Sequence, residues 1–424
     1  MSFTHTRQEL LKGIYFNTIV DTKFKSNEIA IKMFTKLDVN TASLNSLAIS
    51  TIGSANNTYR TIATFNKRLG ELYGSSIVSD VSKMGDTQIL TLASRFIDDR
   101  FTFNGESITD SIVDMLIDCI FNPYVKDGAF NEELFNISKK ELLDAIEGEI
   151  NNKRAYAIIQ SKKAIYRGEP ACIPSYGDKE HAIKSTAKEC YQAFIKLLAS
   201  CNIEIFYVGC EEKSNIGERF KTSFASLKER NPEEFPITQA SVIKSSVEEL
   251  SECVEVNQAK MVLALKTTHD NKYNNAIMNT ILGLSPFSKL FSNVREKLSL
   301  CYYCQSSYDS LKKTIFIDSG VELENIEKAK ESILQQVTDI QNGNFSNEDV
   351  QNAIAYLTNA LKSIGDTQSS YISWYFNNIL IGEDRSIDGE YEKYRLVTKD
   401  DVILSAKTLT LDTIFVLKPI GKEV

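Results

Sequence analysis

The residues best suited to chemistry lie between Ile281 and Tyr303, where Arg295 and Tyr302 stand seven positions apart. A guanidinium offers a planar fork of donors and a phenol a single hydroxyl, groups suited to holding a peptide carbonyl. To act together they need a helix that turns directly into a strand. Leu290, Phe291, Val294 and Leu298 recur at helical spacing after the breakers Gly283 and Pro286, and Cys301-Tyr-Tyr-Cys304 reads as a strand start. Across such a junction both side chains can point into one groove. The same residues also fit an ordinary helix whose Arg pairs with a nearby Glu and whose Tyr joins the core.

Other chemistries find little material. The chain has three histidines, at 5, 181 and 269, none within a His/Glu cluster. Catalytic zinc takes three protein ligands, so each isolated imidazole reads as a surface or packing residue, and no metal ligand is assigned. The Glu-rich segment 131–150 could add a carboxylate, but one carboxylate alone does not hold the ion. Cys301-x-x-Cys304 opens a strand, where no helix dipole lowers a thiol pKa, and no second cysteine pair completes a zinc site. The eight cysteines therefore read mainly as small core side chains. There is no phosphate loop and no Gly-x-Ser-x-Gly elbow, and a Cys/His pair has only weak prospects, so a self-sufficient enzyme of other chemistry finds little support.

A length of 424 residues favours two domains over one. A net charge of −8 disfavours nucleic acid, whose phosphates draw on clustered Lys and Arg. The first residues lack the apolar core of a signal peptide, and no apolar run approaches the ~18 residues that span a bilayer. The expected location is the cytoplasm, away from membranes.

Periodicity predicts an ordered series of elements. Strands are expected at 12–20 and 26–37, helices at 41–52 and 59–73, strands at 75–83 and 87–97, and a helix at 107–121. A long helical region over 130–166, a helix at 186–199, a strand at 202–209 and a helix at 214–228 follow. The stretch Glu229–Pro236 places two of the seven prolines within five residues and marks an interdomain linker. Beyond it come strand 259–267, helices 271–283 and 287–298, strands 301–308 and 313–321, helices 324–341, 347–365, 370–381 and 399–408, and strand 412–418.

The two halves superpose as sequences. Leu72 and Leu298 precede equivalent strands, Asn131 and Asn347 open equivalent long helices, and the closing strands begin at 202 and 412. The offsets are 298 − 72 = 226, 347 − 131 = 216 and 412 − 202 = 210, so the second copy is slightly shorter. The expected architecture is α+β: two tandem homologous domains, 1–228 and 246–424, joined by a linker at 229–245, each a mixed sheet backed by helices.

Gly283 followed by Ser288-x-Leu290-Phe291-x-x-Val294-Arg295-Glu296-Lys297-x-x-Leu300-x-Tyr302 resembles the C-terminal-half motif of the insulinase/pitrilysin-like (M16) zinc peptidases. The resemblance extends to the two-domain architecture, that of an M16 (LuxS-like metalloenzyme) half-subunit. It implies that Arg295 and Tyr302 are a substrate-binding pair facing a zinc site. In active members His-x-x-Glu-His stands on the first helix of the N-terminal half, but here that helix reads Thr41–Ile52 with no His, Glu or Asp. The resemblance therefore implies a zinc-less, non-catalytic subunit with no catalytic residue of its own. Its expected partner is a zinc-bearing M16 paralogue in a heterodimer, with zinc in that partner and a peptide as substrate. A homodimer of the isolated chain stays open, and so does the alternative of an inactive pseudopeptidase acting as a peptide-binding or scaffold protein. The loop Gly283–Phe287 departs from the glycine-rich loop of mitochondrial processing peptidase, which argues against presequence recognition in that style. Arg68–Gly74, Gly85–Ile89 and Asn152–Tyr156 look like the zinc-less M16-like proteins of Firmicutes labelled as associated with elongation factor P modification, a label that implies no chemistry.

Overall fold

The computed structural model describes residues 3–227, 230–234 and 239–420. It divides into two compact units, the first comprising Met1–Glu147, Ile173–Pro236 and Gly365–Leu380, the second Gly148–Cys172, Ile237–Ile364 and Ile381–Val424. A single cut at 229–245 thus does not separate them, because each unit takes in one segment from the other half of the sequence. Within the proposed linker, residue 229 and residues 235–238 lie outside the described residues.

The first unit is built on a six-stranded sheet. Its strands are β1 (Thr4–Leu11), β2 (Ile14–Val20), β3 (Ser26–Lys36), β4 (Ser76–Met84), β5 (Thr87–Ile97) and β8 (Asn202–Gly209), in the order β1-β2-β8-β3-β5-β4. A two-stranded ribbon, β6 (Val125–Lys126) and β7 (Ala129–Phe130), stands apart from it. Among the described residues, β2 and β8 are the sheet's one parallel pair. Ile31, Met33 and Leu90 on one face pack into a core with Leu47, Leu116, Phe194 and Phe220 from helices Val39–Ile52, Ile108–Phe121, Ala187–Ser200 and Ser214–Phe224. Helix Gln368–Leu380 covers the other face, its Phe376 ring edge-on to Phe34 at 5.5 Å and to Phe206 at 6.4 Å.

The second unit repeats the plan with five strands: β9 (Glu248–Val254), β10 (Ala259–Thr267), β11 (Cys301–Asp309), β12 (Thr314–Val321) and β13 (Leu409–Pro419), in the order β11-β12-β10-β13-β9. Among the described residues, β13 and β9 are its one parallel pair. The central strand β10 is buried on both faces, which is why Met-Val-Leu-Ala-Leu shows no alternation. Met261, Leu263 and Leu265 meet Ile333, Ala353 and Val402 from helices Ile326–Gln341, Asn347–Lys362 and Lys399–Lys407. Val262 and Ala264 meet Ala157 and Ile165 from helix Lys153–Ile165 on the opposite face.

That last helix corrects the expectation of one helical region over 130–166. The chain forms Glu132–Gly148, a single 3₁₀ turn, and then Lys153–Ile165. Asn152 causes the restart: its side-chain oxygen accepts from the Ala155 amide at 3.1 Å, satisfying an otherwise orphaned helical N–H. Tyr156 then donates to Glu252 Oε1 at 2.7 Å, and Arg154 Nε to Asp318 Oδ2 at 2.6 Å, fixing the new helix to the second sheet. Among the described residues no helix is long and apolar enough to cross a membrane.

Candidate functional site

The site begins with a close approach of backbones. A Cβ on Gly283 would lie 2.7 Å from the Ser306 amide nitrogen and 2.6 Å from Leu290 Cδ1, so only glycine lets this helix end lie against β11. Two wide-turn helical segments follow one another, Thr280–Leu284 and Leu290–Lys297. Their π character shows in the Ser285 amide bonding back to Thr280 O at 3.4 Å and the Leu298 amide to Asn293 O at 3.1 Å, each five residues behind. Such turns hold more than 3.6 residues, which rotates later positions off the apolar stripe. Leu290 and Val294 are fully buried, but Leu298 is 48% exposed, contrary to the helical spacing read from the sequence.

Two local departures then aim Tyr302. Ser299 takes a left-handed conformation (φ 52°), which ends the helix and turns the chain into β11. In the β11–β12 pairing Cys301 faces Val321 while Tyr303 faces Gly320, so Tyr302 is the extra residue of a β-bulge. As the inserted residue of an edge strand its ring stands 59% exposed. Arg295, 39% exposed, lines the same groove, with Glu296, Ser299, Glu322 and Asn325 around them and a volume of about 410 Å³.

Both groups already have partners. The Tyr302 hydroxyl donates to Glu322 Oε1 at 3.0 Å. Arg295 Nη1 lies 3.5 Å from Glu296 Oε1, and its guanidinium sits 4.6 Å from the centre of the Phe291 ring. Of the ordinary reading, the Arg–Glu pair is present and the core tyrosine is not. The hydrogen bond to Glu322, reinforced by that carboxylate's charge, raises the Tyr302 pKa above the usual phenol value. Glu322→Gln is expected to bring the Tyr302 titration down toward the ordinary range, followed by NMR of ¹³Cζ-labelled tyrosine. An unmoved titration would show that the hydroxyl is held elsewhere.

Behind Tyr302 the neighbouring ring is fixed. Tyr303 packs on Gly320, where an added Cβ would come within 2.6 Å of its Cε1, and the Arg154 guanidinium covers the ring at 4.3 Å. Cys301 and Cys304 are both buried. The hydrogen bond between them lowers the Cys301 pKa and raises that of Cys304. With both thiols packed in the core, the pair makes a small internal contact.

The donor set for zinc does not fit. On helix Val39–Ile52 the polar side chains are neutral, and Ser43 and Asn45 among them are already engaged. Asn45 Nδ2 donates to Gln88 Oε1 at 3.0 Å, Gln88 Nε2 donates to Ala42 O and Ser175 O, and Ser43 Oγ donates to Asp178 O at 3.2 Å. The histidines stand apart: His5 beside Asn17 (3.1 Å), His181 beside Asp178 (2.6 Å), His269 beside Asn274 (3.1 Å). Among the described residues no three His, Cys, Asp or Glu side chains group as a metal would require.

Glu322 escaped the sequence reading because it lies twenty residues beyond Tyr302 and belongs to no motif. Its one signal is the hairpin: once β11 and β12 are paired, the residue after Val321 must fall beside the start of β11.

Comparison with known proteins adds a lineage. A family model described as "Peptidase M16 inactive domain" matches residues 184–357. The chain is 23% identical to the "Probable inactive metalloprotease YmfF" of Bacillus subtilis (strain 168), over 99% of both chains. Over 33% of its length, and 36% of the relative's, it is 24% identical to the "Uncharacterized zinc protease YmxG" of the same strain. The crystal structure of a conserved protein from Enterococcus faecalis V583 has the same fold, with a TM-score of 0.89, 25% identity and coverage of 99% and 100%.

Proposed function

Since this chain is an M16-like protein of the inactive kind, we propose that it is the non-catalytic, substrate-binding subunit of a heterodimeric M16-type zinc peptidase in the cytoplasm. In this role it supplies Arg295 and Tyr302 to the partner's site. One observation carries the reading: a guanidinium and a phenol line one groove of a chain whose own first helix offers zinc no ligand. Arg295 holds a backbone carbonyl of the bound peptide through its donor fork. Tyr302 gives its proton to a hydrogen bond with the oxygen that gains charge as the carbonyl is attacked. The partner contributes the metal and its water. The partial likeness to a zinc protease supports a zinc-bearing paralogue as that partner.

The test is reconstitution. The chain and a His-x-x-Glu-His-bearing M16 paralogue from the same genome are purified separately and assayed alone and mixed on quenched-fluorescence peptides. Hydrolysis is expected to appear, or to rise sharply, only in the mixture. A paralogue fully active by itself and unaffected by this chain would overturn the reading.

The alternative is a pseudopeptidase acting as a peptide-binding or scaffold protein. One observation favours it: both side chains already rest on carboxylates, Arg295 on Glu296 and Tyr302 on Glu322. Peptide binding by the chain alone, with no complex formed in the mixture, would select this alternative.

A further inference from the structure

Tyr302 can act as proposed only if its one proton is free to point at substrate, and in this structure that proton is committed. The hydroxyl donates to Glu322 at 3.0 Å, and its oxygen also meets the side chain of Gln258. A phenol has a single O–H, so while it bonds Glu322 it can only accept from any other neighbour. The bond is charge-assisted and therefore among the stronger ones available to an exposed tyrosine. A substrate oxygen arriving alone must displace a carboxylate that outcompetes it. The groove also carries two carboxylates, Glu296 and Glu322, against the one guanidinium of Arg295. Arg295 lies against Glu296, whereas Glu322 is held by the Tyr302 hydroxyl, with Lys260 acting on it only through its charge.

We infer that Glu322 is a specificity-determining and positioning residue that selects peptides carrying a cationic side chain near the bound carbonyl. This inference rests on the proposed substrate role of Arg295 and Tyr302. A lysine or arginine of the peptide pairs with Glu322 and takes over the acceptor that Tyr302 occupied. The phenol rotates off and presents its proton to the peptide carbonyl. A neutral or acidic peptide leaves Tyr302 on Glu322, and the carbonyl loses a donor. The same carboxylate thus recognises charge and releases the donor, and no bond other than hydrogen bonds is made or broken.

The experiment uses the reconstituted pair and short unstructured peptides in which a single Arg, or its neutral isostere citrulline, is moved along the sequence. At the best position the wild-type pair is expected to cleave the Arg peptide roughly fivefold faster in kcat/KM than the citrulline twin, the scale of a partly exposed ion pair. With Glu322→Gln the ratio falls to near one, chiefly because the citrulline peptide is cleaved faster: a neutral amide competes less well for the Tyr302 proton. Adding Tyr302→Phe to Glu322→Gln removes that gain. A ratio unchanged by Glu322→Gln, in a mixture that still hydrolyses both peptides, overturns the assignment of Glu322 and leaves the subunit reading intact. If no mixture hydrolyses any peptide, the subunit reading fails and this inference fails with it.

Discussion

Tyr302→Phe or Arg295→Ala in this chain is expected to lower kcat/KM of the reconstituted pair by roughly 10²–10³, the loss seen when one donor to a developing oxyanion is removed. The effect is large because the donor acts where charge appears during reaction, so the free chain forfeits almost nothing. Tyr302→Phe deletes one oxygen from a ring that is 59% exposed, so folding stability should stay at the wild-type level. Arg295→Lys separates charge from geometry: an ammonium retains the charge but loses the planar fork, and an intermediate loss is expected. The two substitutions should also be less than additive if both donors hold one carbonyl. Equal activity of all three variants with wild type, measured under single-turnover conditions, would remove these residues from the reaction.

A second large effect is expected far from the groove. Lys266 and Asp412 form a buried ion pair at 3.1 Å, with side chains 1% and 0% exposed. Lys266 Nζ also donates to Ile165 O at 3.1 Å and Val242 O at 2.5 Å, while Asp412 accepts from the Lys244 amide at 2.9 Å and the Thr413 hydroxyl at 2.7 Å. Asp412→Ala removes the only carboxylate in contact with the ammonium among the described residues and leaves Glu169 acting on it at longer range. The second unit should lose about 3–5 kcal/mol, read as a fall in its denaturation midpoint. A loss below about 1 kcal/mol would show that Lys266 sheds its charge or finds water at little cost. Replacing both residues by apolar ones of similar volume should cost less than the single change.

The same pair sets an acid limit. Burial by itself pushes the Asp412 carboxyl up, but the Lys244 amide, the Thr413 hydroxyl and Lys266 outweigh it and hold the pKa below the ordinary value. A carboxyl depressed on folding contributes stability above its unfolded pKa of about 3.9 and loses it as pH falls through the folded value. Wild-type stability should therefore decline below about pH 4, and Asp412→Ala should flatten that limb. An identical acid limb in both proteins would assign the decline to other carboxylates.

Much of this molecule was legible in its residues because the signals are local. The order of strands and helices follows from periodicity and from caps such as Ser346 with Asp349, where both hydrogen bonds of the capping box form. Among the strands overlooked, β1 and β9 lie at sheet edges, β1 largely and β9 partly exposed, so they lack the apolar alternation that marks a half-buried strand, and β6 and β7, of two residues each, are too short to show any. The junction from helix to strand around Arg295 and Tyr302 was readable for the same reason, since Gly283, the apolar pair Leu290 and Val294, and the strand start are neighbours in sequence.

What the tertiary structure alone decided is which unit a helix serves and what a side chain touches. Helix Lys153–Ile165 reads as an extension of its predecessor, yet its apolar face finds its partners on β10, β12 and β13 of the second unit. Helix Gln368–Leu380 likewise buries Phe376 against the first sheet, about 340 residues along the chain from its ring partner Phe34. Hydrophobic burial has no direction of its own, so an amphipathic stripe declares that it will be covered without saying by what. The bulge at Tyr302 and its bond to Glu322 belong to the same class. Their existence depends on the register of two strands, and register is fixed only when whole faces are buried together.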